Sequence, residues 1–163
     1  MSQTMTESST TTSGTASPFV RSLRWGIGAL IVGVCVAIYG AYGDPNPQAN
    51  QEQAVPLICA VLAVVAIGLF GFLLPAGLRG VAARTGRWSG WALAVGIVGL
   101  VAVPVSFWSG MPLLLGTTAA VLGSAGRRAA TGKRALPTAA FVIGIIVTVA
   151  TLALAILGNL PKS

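Results

Sequence analysis

At 163 residues, 55% hydrophobic and only 8% charged, the chain falls far below the roughly one quarter of charged residues found in soluble domains, which argues against a water-soluble core. Its net charge of +7 would suggest nucleic acid in a soluble protein. Here the bases sit in short connectors between apolar runs, where they orient the chain in a bilayer and contact anionic lipid, so no nucleic-acid partner is expected.

In chain order, residues 1–20 begin with MSQTMTESSTTTSGTAS, a Ser/Thr-rich stretch without periodic apolar residues. It has too little apolar surface to order itself and reads as a disordered cytoplasmic tail. Arg21 and Arg24 follow, directly before the first apolar run, residues 25–43. With small residues Ala41 and Gly43 at its end, this segment resembles a signal peptide. Its apolar run exceeds the usual 7 to 15 residues of such a segment, so an uncleaved first span is expected. DPNPQANQEQ, Asp44 to Gln53, is polar and proline-broken and reads as a loop.

The second span, 55–78, carries Pro56 at an expected first-turn position, where a missing amide hydrogen costs nothing, and Pro75 near its far end, where a kink is expected. The next apolar run, 88–126, has 39 residues, about 58 Å as one helix. Fitting it into a core about 30 Å thick would need a tilt near 60°, outside the observed range of about 0 to 40°. Pro104, Gly110 and Pro112 cluster where a turn would fall, which divides the run into antiparallel spans 88–106 and 111–126. A re-entrant hairpin entering from the cytoplasmic side would keep the same loop parity, but would place turn backbone at membrane depth. The last span, 136–158, opens with Pro137.

The expected fold class is therefore all-α, a polytopic membrane domain over residues 21–160 with five transmembrane helices. With the N-terminus cytoplasmic and the C-terminus outside, nine of the ten bases fall on one side and Lys162 alone lies opposite. A single span at 88–126 would split those nine, against the tendency of cytoplasmic loops to collect Lys and Arg. Trp25, Trp88 and Trp91 near the inner boundary and Tyr39, Tyr42 and Trp108 near the outer one fit interfacial aromatic belts. Eight Arg against two Lys, with abundant Gly, Ala and Val, suggests a G+C-rich bacterial source and hence the inner membrane.

Candidate functional residues fall into two groups. Arg79, Arg84, Arg87, Arg127, Arg128, Lys133 and Arg134 are expected to meet lipid headgroups or an acidic partner, each base near an anionic leaflet being worth about 1 kcal/mol. Ala29, Gly33 and Ala37, then Gly96 and Gly99, then Gly116 with Ala120, and Gly144, recur at helical spacing. They mark faces where helices approach closely, since dispersion contacts drive association where lipid is as apolar as leucine.

Thr117, Thr118, Ser124, Thr148 and Thr151 are expected to bond back to carbonyls one turn earlier, leaving no polar path. Cys35 and Cys59 read as two small buried hydrophobes in preference to a disulfide. No catalytic, metal or cofactor site is expected. The three carboxylates, Glu7, Asp44 and Glu52, lie in the tail and outer loop, and the chain has no histidine. GRRAATGKR, Gly126 to Arg134, departs from a phosphate-binding loop, with five residues between its glycines and Arg134 in place of Ser or Thr. An accessory or scaffold subunit of a larger membrane complex is the expected function. The rival is a component of a transporter or channel for a small or amphipathic solute.

Overall fold

A computed structural model of the chain describes residues 18–42, 51–83, 87–106, 109–130 and 134–158. These residues form helices and no strands: α1 (Pro18–Tyr42), α2 (Gln51–Ala66), a π-helical segment (Ile67–Leu73), α3 (Leu74–Ala82), α4 (Arg87–Ser106), α5 (Met111–Ala129) and α6 (Ala135–Gly158). Because α2, the π segment and α3 are continuous, there are five rods. Each corresponds to one of the five apolar runs, the first as far as Tyr42.

The stretches Val55–Ala82, Arg87–Ser106 and Ala135–Gly158 are long and apolar enough to cross a membrane, and Leu23–Tyr39 forms a shorter apolar helix. Over the described residues the chain is thus all-helical, with helices long and apolar enough for a multi-pass membrane protein. Of the tail expected over residues 1–20, Pro18 to Val20 already belong to α1 and 1–17 lie outside the described residues. The loop expected over 44–53 likewise gives way to α2 at Gln51.

One expectation about proline needs correction. Pro56 does not open its helix, because α2 begins five residues earlier, and Pro56 sits inside it. Pro104 lies inside α4, which ends at Ser106, the bound expected for this span. Only two residues of α4 follow it, and the chain reverses at Gly110, which has φ +73°. Near Pro75, where a kink is expected, the helix widens into the π segment just upstream. The Leu74 amide donates to the Leu69 carbonyl, five residues back. A proline ring clashes with the carbonyl four residues before it and offers no hydrogen to it, and a wider turn relieves that conflict. Pro112, by contrast, stands in the first turn of α5 as expected.

Contacts across the bundle fix the helix directions. Gly126 of α5 faces Ser89 of α4, and Gly99 of α4 faces Leu115 and Gly116 of α5, so α4 and α5 run antiparallel. Gly123 meets Phe141 and Gly116 meets Val147, so α5 and α6 are antiparallel as well. Gly26 of α1 packs on Phe70 of the π segment, and Gly33 of α1 meets Gly110 and Leu114. Gly77 of α3 meets Leu122.

In this arrangement α5 is the central helix, touching α1, the π segment, α3, α4 and α6. Leu114, Thr118 and Ala119 are fully buried there, and Arg127 and Arg128 are its only exposed side chains. The other rods turn large apolar residues outward, among them Ile31, Leu57, Phe72, Val101, Val149 and Leu157. Apolar surface of this extent on every outer rod is opposite to a soluble bundle, where the outer faces are polar.

Candidate functional site: a glycine seam and a basic end

The interior is closed by backbone meeting backbone. A Cβ added at Gly144 would lie 2.5 Å from the Ala120 amide nitrogen and 2.6 Å from the Gly116 carbonyl oxygen. One added at Gly123 would lie 2.5 Å from the Phe141 nitrogen. Side chains can rotate away from such a contact but backbone cannot, so α5 and α6 sit at a distance that only glycine permits at these positions. Gly116 faces Thr148 and Val147, with contacts of 2.8 to 3.0 Å for an added Cβ. On α4, Gly96 and Gly99 are somewhat looser, at 3.1 Å from Ile143 and Leu115 respectively. Helices α4, α5 and α6 therefore form a trio knit along one small-residue seam.

The structure places the expected packing residues as follows. Gly96, Gly99, Gly116 and Gly144 are buried in the seam, and Ala120 is half-buried beside Gly144. Ala29, Gly33 and Ala37 form a separate buried face on α1. Gly33 differs from the rest, because an added Cβ would meet nothing closer than 3.7 Å. The demand falls instead on its partner. Gly110 combines a left-handed backbone with contact to Gly33, an added Cβ lying 2.5 Å from the Gly33 carbonyl oxygen.

The five hydroxyls singled out in the sequence bond within their own helices. Thr117 donates to the Leu113 carbonyl, Thr118 to Leu114, Ser124 to Val121, Thr148 to Gly144 and Thr151 to Val147, at 2.7 to 2.8 Å. Donated to carbonyls of the preceding turn, these hydrogens are unavailable to a passing solute.

Among the described basic residues, Arg24 stands near the start of α1, Arg79 near the end of α3 and Arg87 at the start of α4. Arg127 and Arg128 close α5, and Arg134 precedes α6. Given the alternating helix directions, all of these belong to one end of the bundle, and all are exposed. Arg84 and Lys133 lie outside the described residues. Arg127 stands 4.9 Å from the centre of the Phe141 ring, a cation–π contact that ties this end of α5 to α6.

Three other pairings complete the packing, and sequence spacing did not signal them. Phe70 fills the space left by Gly26, and Trp88 lies over both Gly77 and Gly80. The joint between α3 and α4 is thus an indole on a glycine face. Cys59 is half-buried, but Cys35 is exposed, which corrects the expectation of two buried residues, and both thiols are free. Cys35 sits on α1 on the side turned away from Ala29, Gly33 and Ala37, so helical periodicity carries it outward. Exposed aromatic residues include Trp25 and Trp91 toward the basic end and Tyr39 toward the opposite end.

Among the described residues no group of His, Cys, Asp or Glu gathers closely enough to hold a metal ion. A cleft of about 200 Å³ opens between α2 and the α4–α5 turn, lined by Leu57, Ile58, Val61, Leu62, Ser106, Ser109 and Met111. No family model matches the chain, and no curated protein and no solved structure matches it either.

Proposed function

We propose that this chain is a five-span protein of the bacterial inner membrane, with its basic end in the cytoplasm, its N-terminus inside and its C-terminus outside. It acts there as a non-catalytic accessory or scaffold subunit that packs against a larger membrane complex. The observation that carries this reading is the contrast between interior and exterior. The α4–α5–α6 trio is sealed by glycine contacts, with the hydroxyls of Thr117, Thr118, Ser124, Thr148 and Thr151 bonded within their own helices. The outer faces of α1, α2, α4 and α6 remain apolar and uncovered.

Such a molecule offers little for a solute to pass through and a great deal for another helix to pack on. The exposed arginines at one end support the orientation, through the preference of cytoplasmic connectors for Lys and Arg and the attraction of anionic headgroups. The test is purification of the full chain from its native membrane in mild detergent. A stoichiometric membrane-protein partner is expected, and a lone monomer with no reproducible companion would refute the scaffold role. Cysteine substitution at Thr117 and Thr148 addresses the rival transport reading. Labelling of these positions by an aqueous thiol reagent would favour a solute path, whereas a sealed trio leaves them unlabelled.

A further inference from the structure

The α4–α5 turn stops well short of the end of α1. Gly110 docks on Gly33, and α1 continues nine residues further to Tyr42, a distance of about 13 Å along its axis. The cleft beside this turn is lined from α2 by Leu57, Ile58, Val61 and Leu62. These positions lie two to seven residues into the apolar stretch that begins at Val55, which is about 3 to 10 Å below its start. Taking the membrane placement proposed above, on which this inference rests, the cleft falls in the outer leaflet at acyl-chain depth.

Among the described lining residues, the side-chain hydroxyls make no provision for a polar ligand. Ser106 donates its hydroxyl hydrogen to the Ala102 carbonyl at 3.0 Å. Ser109 donates to the Ser106 carbonyl at 2.7 Å, and its oxygen accepts the Met111 amide at 3.3 Å. With both hydroxyl hydrogens committed to backbone, neither a carbonyl nor an anion finds a side-chain donor among the described residues lining the cleft. An ordered water, which needs about two to four polar partners, is poorly served as well.

Size narrows the occupant further. A volume of about 200 Å³ is below the roughly 300 to 1,000 Å³ of sites for drug-sized ligands. It suits about six or seven methylene groups, if each takes roughly the 30 Å³ of a liquid water molecule. Leu57 and Val61 are exposed at the lip, while Leu62 is fully buried, so the cleft admits its occupant from the side. We propose that this cleft holds a segment of one acyl chain of an outer-leaflet lipid, which fills the step left by the short α4–α5 turn.

The full chain, reconstituted in phosphatidylcholine vesicles containing a trace of phosphatidylcholine with a mid-chain diazirine, provides the test. After photolysis, mass spectrometry is expected to find label at Met111 as well as at Val149, an exposed residue of α6. Val61→Trp should lower Met111 labelling at least about fivefold, because a close-packed site has no room for both indole and chain, and should leave Val149 labelling unchanged. If Val61→Trp loses Val149 labelling through misfolding, Leu57→Trp at the exposed lip supplies the same comparison. Label at Val149 but not at Met111 would overturn the cleft assignment alone. So would reaction of Ser109→Cys with a water-soluble maleimide added from outside, which would show an aqueous recess. Absence of label at both positions would overturn the membrane placement as well.

Discussion

Replacement of Gly144 by Ala places a methyl group 2.5 Å from the Ala120 nitrogen and 2.6 Å from the Gly116 oxygen. Ordinary contact begins near 3.4 Å, so α5 and α6 must separate by close to 0.9 Å, the difference between 3.4 and 2.5 Å. A gap of about 0.5 to 1 Å forfeits roughly a quarter to a half of each dispersion well along the affected faces. Overpacking of this kind costs about 1 to 3 kcal/mol, offset by up to about 1 kcal/mol from the better helix propensity of alanine. Compared with alanine at an uncrowded helical glycine, where the propensity term alone acts, the expected loss is about 1 to 3 kcal/mol. Gly28 and Gly90 serve as controls, since a Cβ at either position meets nothing within 4 Å. Alanine there should leave stability unchanged or raise it by up to about 1 kcal/mol. Unfolding by SDS titration from mild-detergent micelles, followed by far-ultraviolet circular dichroism, reads all three variants. Equal midpoints for Gly144→Ala and the two controls would refute the closeness of α5 to α6.

The same titration separates Gly110 from Gly33. Gly110→Ala incurs about 1 to 2 kcal/mol for the left-handed backbone in addition to the clash with the Gly33 carbonyl, whereas Gly33→Ala should be close to neutral. The reverse order would show that the turn does not dock on α1. Thr118→Val and Thr151→Val should each shift stability by less than about 1.5 kcal/mol, because each removes one hydroxyl bond to the residue's own helix; losses of several kcal/mol would reveal an inter-helix partner. A double-mutant cycle of Arg127→Gln with Phe141→Leu should return a coupling of about 0.5 to 1 kcal/mol at this exposed site, and zero coupling would remove the cation–π contact as a tie between α5 and α6.

Much of the helical layout is legible in the sequence because membrane length is a strict ruler. The 39-residue run at 88–126 is too long for one span, and the break falls at Gly110, where the turn forms. Small residues at helical spacing also identified most of the seam, since the period that aligns Gly96 with Gly99, or Gly116 with Ala120, is intrinsic to one helix. What one helix cannot encode is which face meets which neighbour. The contacts of Gly26 with Phe70, of Trp88 with Gly80 and of Arg127 with Phe141 each join residues on different rods, and their alignment depends on crossing geometry. The π segment was hidden for a different reason. Pro75 announces a backbone conflict, but a bend and a widened turn are both physical solutions, and sequence alone favours neither. Pro56 misled because a first-turn proline and an interior proline look alike until the helix start is fixed.

Sidedness of the connectors tests the proposed orientation most directly. With Cys35 and Cys59 replaced by Ser, single cysteines at Gly86, Thr131 and Asn50 can be exposed to a membrane-impermeant maleimide on intact spheroplasts. Five spans require Asn50→Cys to react from outside, and Gly86→Cys and Thr131→Cys to react only after the membrane is opened. Reaction of Gly86→Cys and Thr131→Cys from opposite sides of the membrane would contradict the five-span arrangement.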